Sequence, residues 1–545
     1  MKGFQLKIDA GNVSHKVRFN QHSFDNYYAE NNEIIICLEG VILNRTQLIK
    51  SVKSPDIYLH QLYEQHEKNF VQYLEGEFVG FVYDQQKKKV LAFTNFTATR
   101  KLLYYRNANN FVIDTNLIEL TNSLKQDKKP YSLDEITMYQ LLVCENTLED
   151  YTPIKEVKKL NDAQILTIDL NNLELNISSY YAFQPKFKGS KREALEEVDR
   201  LFTQAVCLEF EKDRELNKET FALLSGGLDS RMTVLVALKN GFSIDEAFCF
   251  SQKNYWDERI ASQIAKDYTI PFHFVALNGG EYITEIDEIF NVSNGFVVYS
   301  GALHTNFAYK SIDRNRFGLI HSGQLGDGVF GMFNKKRMKS PPTKEKIVVH
   351  DRLFHRMENE FNQITSQYDN EEHFLTRNVG YNRTVLGSYM AEEFSYQTSP
   401  FMHSDFLKFV HSLPEEWKYN QEMYIEWINQ FHPDATKYIW ERTLLKPTSK
   451  RRIAFGDKVV KRSFNILVNR VLKKQNIGKM TAYEYYFKNE IKHQQKMNAY
   501  FEDTIDLVTS ETLKKDLNLL YSTGNFIEKT TVLTVLSIVK HYFGE

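Results

Sequence analysis

The stretch FALLSGGLDSRMTVLVALKNGF, residues 221 to 242, constrains this chain more than any other. Strand-compatible apolar residues run into Ser-Gly-Gly-Leu-Asp-Ser, and a helical pattern follows. Met232, Leu235, Val236 and Lys239 keep helical spacing, and Gly241 stands where a helix would end. A strand that turns through two glycines straight into a helix is half of a parallel α/β unit. The alternation continues downstream. AFCFSQ reads as a strand, DERIASQIAKDY as a helix and FHFVAL as another strand, and RFGLIHSG reads as a strand entering a second glycine-bearing loop. The pattern predicts a parallel sheet with helices on both faces, and beyond residue 340 the chain reads as mainly helical.

The first part of the chain reads differently. EIIICLEGVIL, FVGFVYDQQKKKVLAFTNF and AQILTIDLNNLELNISSYYAF are β-rich runs broken by polar turns, and SPDIYLHQLYEQH is the one clear helix among them. An α+β fold of stacked antiparallel sheets follows from this. The charged stretch KFKGSKREALEEVDRLFTQAV opens a helix and sets a boundary near residue 188. The expected division is an α+β sandwich over 1–187, an α/β domain over 188–455 and a helical C-terminal extension over 456–545.

Composition narrows the function classes. The 545 residues carry 68 basic and 70 acidic side chains, so no net charge draws the protein to nucleic acid or acidic membranes. Cys37, Cys144, Cys207 and Cys249 are scattered without a CxxC pair, which argues against a disulfide scaffold, a zinc site or a thiol-redox motif. The fifteen histidines show no HExxH spacing, and no transition metal is expected. No run approaches a membrane span and MKGFQLKIDA has no apolar signal core, so a cytoplasmic enzyme is expected.

The first loop is suited to an anion. Gly226 and Gly227 let backbone approach a ligand closely, successive amides can converge on phosphate oxygens, and the helix N-terminus adds partial positive charge. Ser225 and Ser230 supply hydroxyls. Asp229 is out of place against a bare phosphate and makes sense as a ligand of Mg²⁺ bridging to the phosphates. The string is neither GxxxxGK[ST] nor GxGxxG.

SGGLDS after an apolar strand resembles the PP-loop of the N-type ATP pyrophosphatases, which release pyrophosphate from ATP. More narrowly, the chain resembles the asparagine synthetase B family, including its β-lactam synthetase and lasso-peptide cyclase relatives. HSGQLGDGVFGMF, residues 321 to 333, is similar to that family's SGxGxDExFGG element. LEGEFVGFVYDQQKKKVLAFTNFTATRKLLYY resembles its LxGxFAFxxYD and DxxGxxPLYY segments, and SPFMHSDFLKFVHSLPEEWK its RxPFLDxxLxxFxxxLPxxxK element. The resemblance implies ATP and Mg²⁺ as cofactors, with Asp327 as the second Mg²⁺ carboxylate facing Asp229. It implies nucleotide contacts from Leu223, Ser225, Gly226, Gly227, Asp229, Ser230 and Gly323. It also implies a late-loop lysine that stabilises the adenylation transition state. Lys446 stands nearest that position, with Arg442 just before it and Lys437, Lys450 and Arg451 as further cations nearby. The basic run from Lys446 to Lys474 reads equally as a lid, an attractor of acidic substrate or a solvated helix face.

The resemblance implies an Ntn-type glutaminase fold at the N-terminus, yet the glutaminase residues are missing. The family exposes a cysteine at position 2, where this chain has Lys2, and Cys37 lies in an apolar run. The family's oxyanion Asn is replaced by Glu39, whose carboxylate would repel a developing oxyanion. In the second half, Gln324 takes the place of a loop acid or tyrosine, Gly328 follows the metal Asp in place of Glu, and Tyr396 and Thr398 stand where Glu and Arg are usual. Asp257 and Glu258 read either as helix caps or as the family's DE pair. His304 and Tyr299 read as acyl-pocket or core residues.

The expected activity is an AMP- and pyrophosphate-forming amide ligase that adenylates a carboxylate for attack by an amine, without glutamine hydrolysis. Ammonia-dependent asparagine synthesis and a non-catalytic nucleotide-binding regulator are the alternatives. A tRNA-thiolating enzyme is disfavoured by the lack of cysteine pairs and of a basic domain. Expected partners are a small-molecule or peptide substrate and an amine donor, with a leader or precursor peptide as a further candidate.

Overall fold

The computed structural model describes residues 3–19, 24–183, 186–334, 337–460, 463 and 479–544. The N-terminal part holds eleven strands among these: β1 (Gly3–Asp9), β2 (Asn12–Arg18), β3 (Tyr27–Asn31), β4 (Ile34–Ile42), β5 (Gly76–Asp84), β6 (Lys89–Thr94), β7 (Leu103–Asn107), β8 (Asn110–Asp114), β9 (Val157–Lys159), β10 (Gln164–Asp169) and β11 (Glu174–Ser179). They form two antiparallel sheets, ordered β2-β1-β8-β7-β9 and β11-β10-β6-β5-β4-β3. Strand alternation explains why β4 is buried along its whole length. Ile35 and Cys37 pack between the sheets with Phe4, Leu6, Phe81 and Ile113. Ile34, Ile36 and Leu38 point the other way, onto the helix Tyr58–His66. Each such fully buried aliphatic or aromatic side chain is worth about 1.5–3 kcal/mol, an upper figure for burial against an extended chain.

Four helices cover the sandwich where the sequence suggested one: α1 (Arg45–Ser51), α2 (Tyr58–His66), α3 (Leu117–Gln126) and α4 (Glu135–Cys144). In α4 every residue from Thr137 to Cys144 is buried, so it lacks the polar stripe that marks a surface helix in sequence.

Helix α5 (Lys191–Leu216), opened by a Ser190–Glu193 capping box, leads into the second part. Its strands β12 (Glu219–Leu223), β13 (Glu246–Ser251), β14 (Phe272–Ala276), β15 (Phe317–His321) and β16 (Gln397–Thr398) are all parallel, in the order β14-β13-β12-β15-β16. Between them run α6 (Leu228–Lys239), α7 (Trp256–Asp267), α8 (Ile286–Ser293) and α9 (Tyr299–Tyr309). Gly241 ends α6 in the left-handed region at φ +81°, as its position after the helical pattern suggests. Strand β16 interrupts the stretch read as helical. It is two residues long and is held to β15 by tertiary pairing that no local periodicity announces.

From β12 the sheet grows to one side through β13 and to the other through β15, so β12 is the point where strand order reverses. Ligands of open α/β sheets bind at the carboxyl ends of strands at such a point. Both glycine-bearing loops, after β12 and after β15, emerge there.

The helices at 483–489, 491–505, 511–523 and 526–543 share one continuous core with the parallel-sheet part and with α4. Tyr131 donates to the Tyr542 carbonyl at 3.2 Å, and Thr534 Oγ1 accepts the Tyr299 N–H at 3.1 Å. Much of the basic run between Lys446 and Lys474, residues 461–462 and 464–474, lies outside the described residues, as does Lys2. No helix of the described residues is long and apolar enough to cross a membrane.

Candidate active site

The first loop is tied down mostly by its own residues. Ser230 Oγ accepts the Ser225 N–H at 3.1 Å, Ser225 Oγ accepts the Gly227 N–H at 3.2 Å, and the two hydroxyls are 3.1 Å apart. Asp257, in the first turn of α7, accepts the Gly226 N–H at 2.8 Å. Glu258 instead accepts the Asn254 N–H ahead of its own helix, so the acidic pair splits into a loop anchor and a cap. Arg231 is fully buried and donates to the carbonyls of Gly226, Ala435 and Ile439, fastening the loop to the segment that carries Glu441 and Arg442.

The second loop closes onto the first. Asp229 Oδ2 accepts the Asp327 backbone N–H at 3.0 Å. Two glycines make this approach possible. A Cβ at Gly323 would lie 2.2 Å from the Ser230 nitrogen, and one at Gly326 would lie 2.6 Å from the Asp229 carboxyl carbon. Tyr424 Oη donates to the other Asp229 oxygen at 2.5 Å.

Burial pushes both carboxyls above the usual carboxylate range, and the charge of Asp327 adds to the shift of Asp229. For Asp229, desolvation comes first and the charge of Asp327 second. For Asp327, desolvation is opposed by Arg442. Two hard oxygen donors forced together in a desolvated cleft suit a divalent cation such as Mg²⁺, completed by phosphate oxygens. Among the described residues no group of three or more His, Cys, Asp or Glu side chains is placed to hold a metal by itself.

A cavity of about 440 Å³ opens over these loops. Leu223, Ser225, Gly227, Asp229, Ser230, Gly323 and Asp327 line it, while Gly226 lies behind the loop against Asp257 and Glu441. His304 and Gln324 also line it. Tyr299 is buried in the core beside the C-terminal helices. Lys446 is exposed, and neither it nor Arg442, whose charge acts on Asp327, is among the residues that line the cavity. Tyr424 and Arg231 carry no sequence signal of their own. Tyr424 is one aromatic among several in EMYIEWINQF, and only the fold brings it to Asp229.

At the first domain's side, Glu39 is buried and pairs with Arg100 at 3.2 Å. Arg100 reaches Glu392 of the second part, also at 3.2 Å, and stacks over Tyr396 at 5.1 Å. Tyr396 therefore faces the domain interface, while its neighbour Gln397 lines the cavity.

A parallel sheet with paired acidic loops at its switch point places a candidate ligand site at the carboxyl ends of the strands of an α/β domain. Residues 197–442, which hold the parallel sheet, match the asparagine synthase family model, and an N-terminal antiparallel sandwich precedes them. No curated protein matches the chain. Among solved structures it is similar to glutamine phosphoribosylpyrophosphate amidotransferase from B. subtilis complexed with ADP and GMP, at 10% identity over 60% of this chain and 70% of that one, with a TM-score of 0.22. It is also similar to an allosteric regulatory enzyme of purine biosynthesis, at 9% identity over 67% and 82%, with a TM-score of 0.22. Both likenesses are too slight to bear on function.

Proposed function

We propose that the protein is an ATP-dependent ligase that forms an amide through an acyl-adenylate. The reading is carried by one observation: the Asp229 carboxylate and Asp327 meet at the sheet's switch point, directly over a glycine-rich helix N-terminus. Asp229 and Asp327 would hold Mg²⁺, whose role when bound is to neutralise the pyrophosphate leaving group. The loop amides, Ser225 and Ser230 orient the phosphates.

In the first step a substrate carboxylate oxygen bonds to the α-phosphorus and the bond to the β-phosphate bridging oxygen breaks. In the second, an amine nitrogen bonds to the acyl carbon, the acyl–phosphate bond breaks to release AMP, and the amine loses a proton to solvent or a basic group. Arg442, whose charge acts on Asp327, would offset charge developing on the phosphates. Lys446, four residues on and exposed, is the candidate to close over the adenylate once nucleotide is bound.

An amine source other than glutamine is supported by Glu39, a buried carboxylate paired with Arg100, which would repel a developing oxyanion in the N-terminal part. The acid is carried by a small molecule or a peptide, and the amine donor is ammonia or an organic amine. Pyrophosphate release on adding an acid to the protein with Mg·ATP, lost in Asp229→Ala, tests the reading. ATP binding without turnover across acids and amines would favour a regulatory nucleotide-binding protein instead.

A further inference from the structure

Two tight stretches of chain meet at Gly226. One is the first glycine loop. The other is the turn from Trp440 to Leu445, which carries Arg442. The Trp440 N–H closes this turn on the Leu445 carbonyl at 2.9 Å and the Leu444 N–H on the Trp440 carbonyl at 2.7 Å. Leu444 takes the left-handed region at φ +58° to make it.

The turn is seated directly on the loop. The Gly226 carbonyl accepts the Glu441 N–H at 3.1 Å, and a Cβ at Gly226 would lie 2.7 Å from the Glu441 Cβ. The same carbonyl accepts a second bond, from Arg231 Nη2 at 3.1 Å, so both of its lone pairs are used. Arg231 Nη2 also donates to the Ile439 carbonyl at 2.8 Å, and Nη1 to the Ala435 carbonyl at 2.7 Å. One planar, fully buried guanidinium thus sets the spacing between the loop and the segment that leads into the turn. Burial pushes it down to about 10, so it keeps its charge at neutral pH. A lysine, with a single nitrogen, does not reproduce this fork across two segments. A second tie runs through Tyr255, whose Oη donates to Glu441 Oε1 at 2.6 Å.

Arg442 follows Glu441 directly, and its charge acts on Asp327 of the second loop. Arg231 itself is not among the residues that line the cavity. We propose that Arg231 is a positioning residue for the reaction: through Gly226 and the Trp440–Leu445 turn it holds Arg442 where its charge acts on the phosphates. This deepens the ligase reading and rests on it.

The test is a double-mutant cycle on pyrophosphate release by the full chain with Mg·ATP and ammonium. The acid is the most active of aspartate, glutamate, acetate and a C-terminal peptide carboxylate. Arg231→Lys should lower kcat about tenfold while the KM for ATP moves less than about threefold. Added to Arg442→Ala, it should lower kcat by no more than about twofold further, because the group it positions is already gone. Tyr255→Phe removes only a hydroxyl and serves where Arg231→Lys melts below the assay temperature. It should lower kcat about threefold, and likewise add nothing in the Arg442→Ala background. Losses that multiply in the double variants, or an Arg231→Lys that matches the wild type, would overturn the positioning role and leave the ligase standing. A KM for ATP that rises as much as kcat falls would assign Arg231 to the shape of the phosphate loop and overturn the role through Arg442. No pyrophosphate from the wild type with any of these acids, while ATP binds by calorimetry, would overturn the ligase reading and this inference with it.

Discussion

Tyr424 Oη donates to Asp229 Oδ1 at 2.5 Å, and the same carboxyl receives the Asp327 N–H on its second oxygen. The side chain at the heart of the first loop is thus oriented by a helix nearly two hundred residues downstream. Hydrogen bonds to a charged group are worth about 1.5–3 kcal/mol. Tyr424→Phe should therefore weaken Mg·ATP binding roughly 10- to 100-fold by calorimetry while leaving the far-UV spectrum unchanged. An unaltered affinity would mean that the hydroxyl does not orient the carboxylate.

The repulsion between Asp229 and Asp327 has a stability consequence. Without metal, the folded protein bears two buried carboxyls that resist ionisation. Asp327→Asn removes one of them and should raise the melting temperature of the nucleotide-free protein by about 1–3 °C, with pyrophosphate release lost. A lowered melting temperature would contradict the repulsion argument.

His321, the last residue of β15, is fully buried between two carboxylates of α5. Its Nε2 lies 2.7 Å from Asp213 and its Nδ1 3.3 Å from Glu209. Desolvation opposes the charged ring, but Asp213 and Glu209 outweigh it, and the imidazole is pushed up to about 9. A folded-state value above the unfolded 6.5 means that the stabilisation is fully present below about pH 6.5 and is lost as pH rises through about 9. The shift corresponds to on the order of 3 kcal/mol. Denaturant titrations from pH 6 to 10 should show stability falling across that window in the wild type, and a much flatter profile in His321→Gln, which is also less stable at pH 6.

Arg442 is the cation nearest Asp327 in charge terms, and its guanidinium also donates to Gln421. Arg442→Ala should lower kcat for pyrophosphate release about 100-fold with a smaller change in the Kd for ATP. Equal losses in both would assign Arg442 to ground-state nucleotide binding.

The parts of the site readable in sequence are those encoded by contiguous residues. SGGLDS and the Gly-Asp loop at 323–327 announce themselves because strand, glycines and helix follow one another within one α/β unit. The parallel sheet and the antiparallel hairpins were legible for the same reason, as each is a local periodicity. Helix α4 was not, because burial on all sides erases its amphipathic stripe. Tyr424, Arg231 and the edge strand β16 were not, because their roles exist only across long chain separations. The ion pairs through Arg100 show the same limit, since Glu39 reads in sequence as a departure from the resembled family's Asn but not as part of a tie between the two parts of the chain.

The central claim is that the paired acid loops split ATP between its α- and β-phosphates. Phosphorus NMR of Mg·ATP incubated with the full chain, a carboxylic acid and ammonium tests it most directly. AMP and pyrophosphate appearing in equal amounts, and absent in Asp229→Asn, is the predicted result. ADP and inorganic phosphate, or AMP formation that survives in Asp229→Asn, would contradict it.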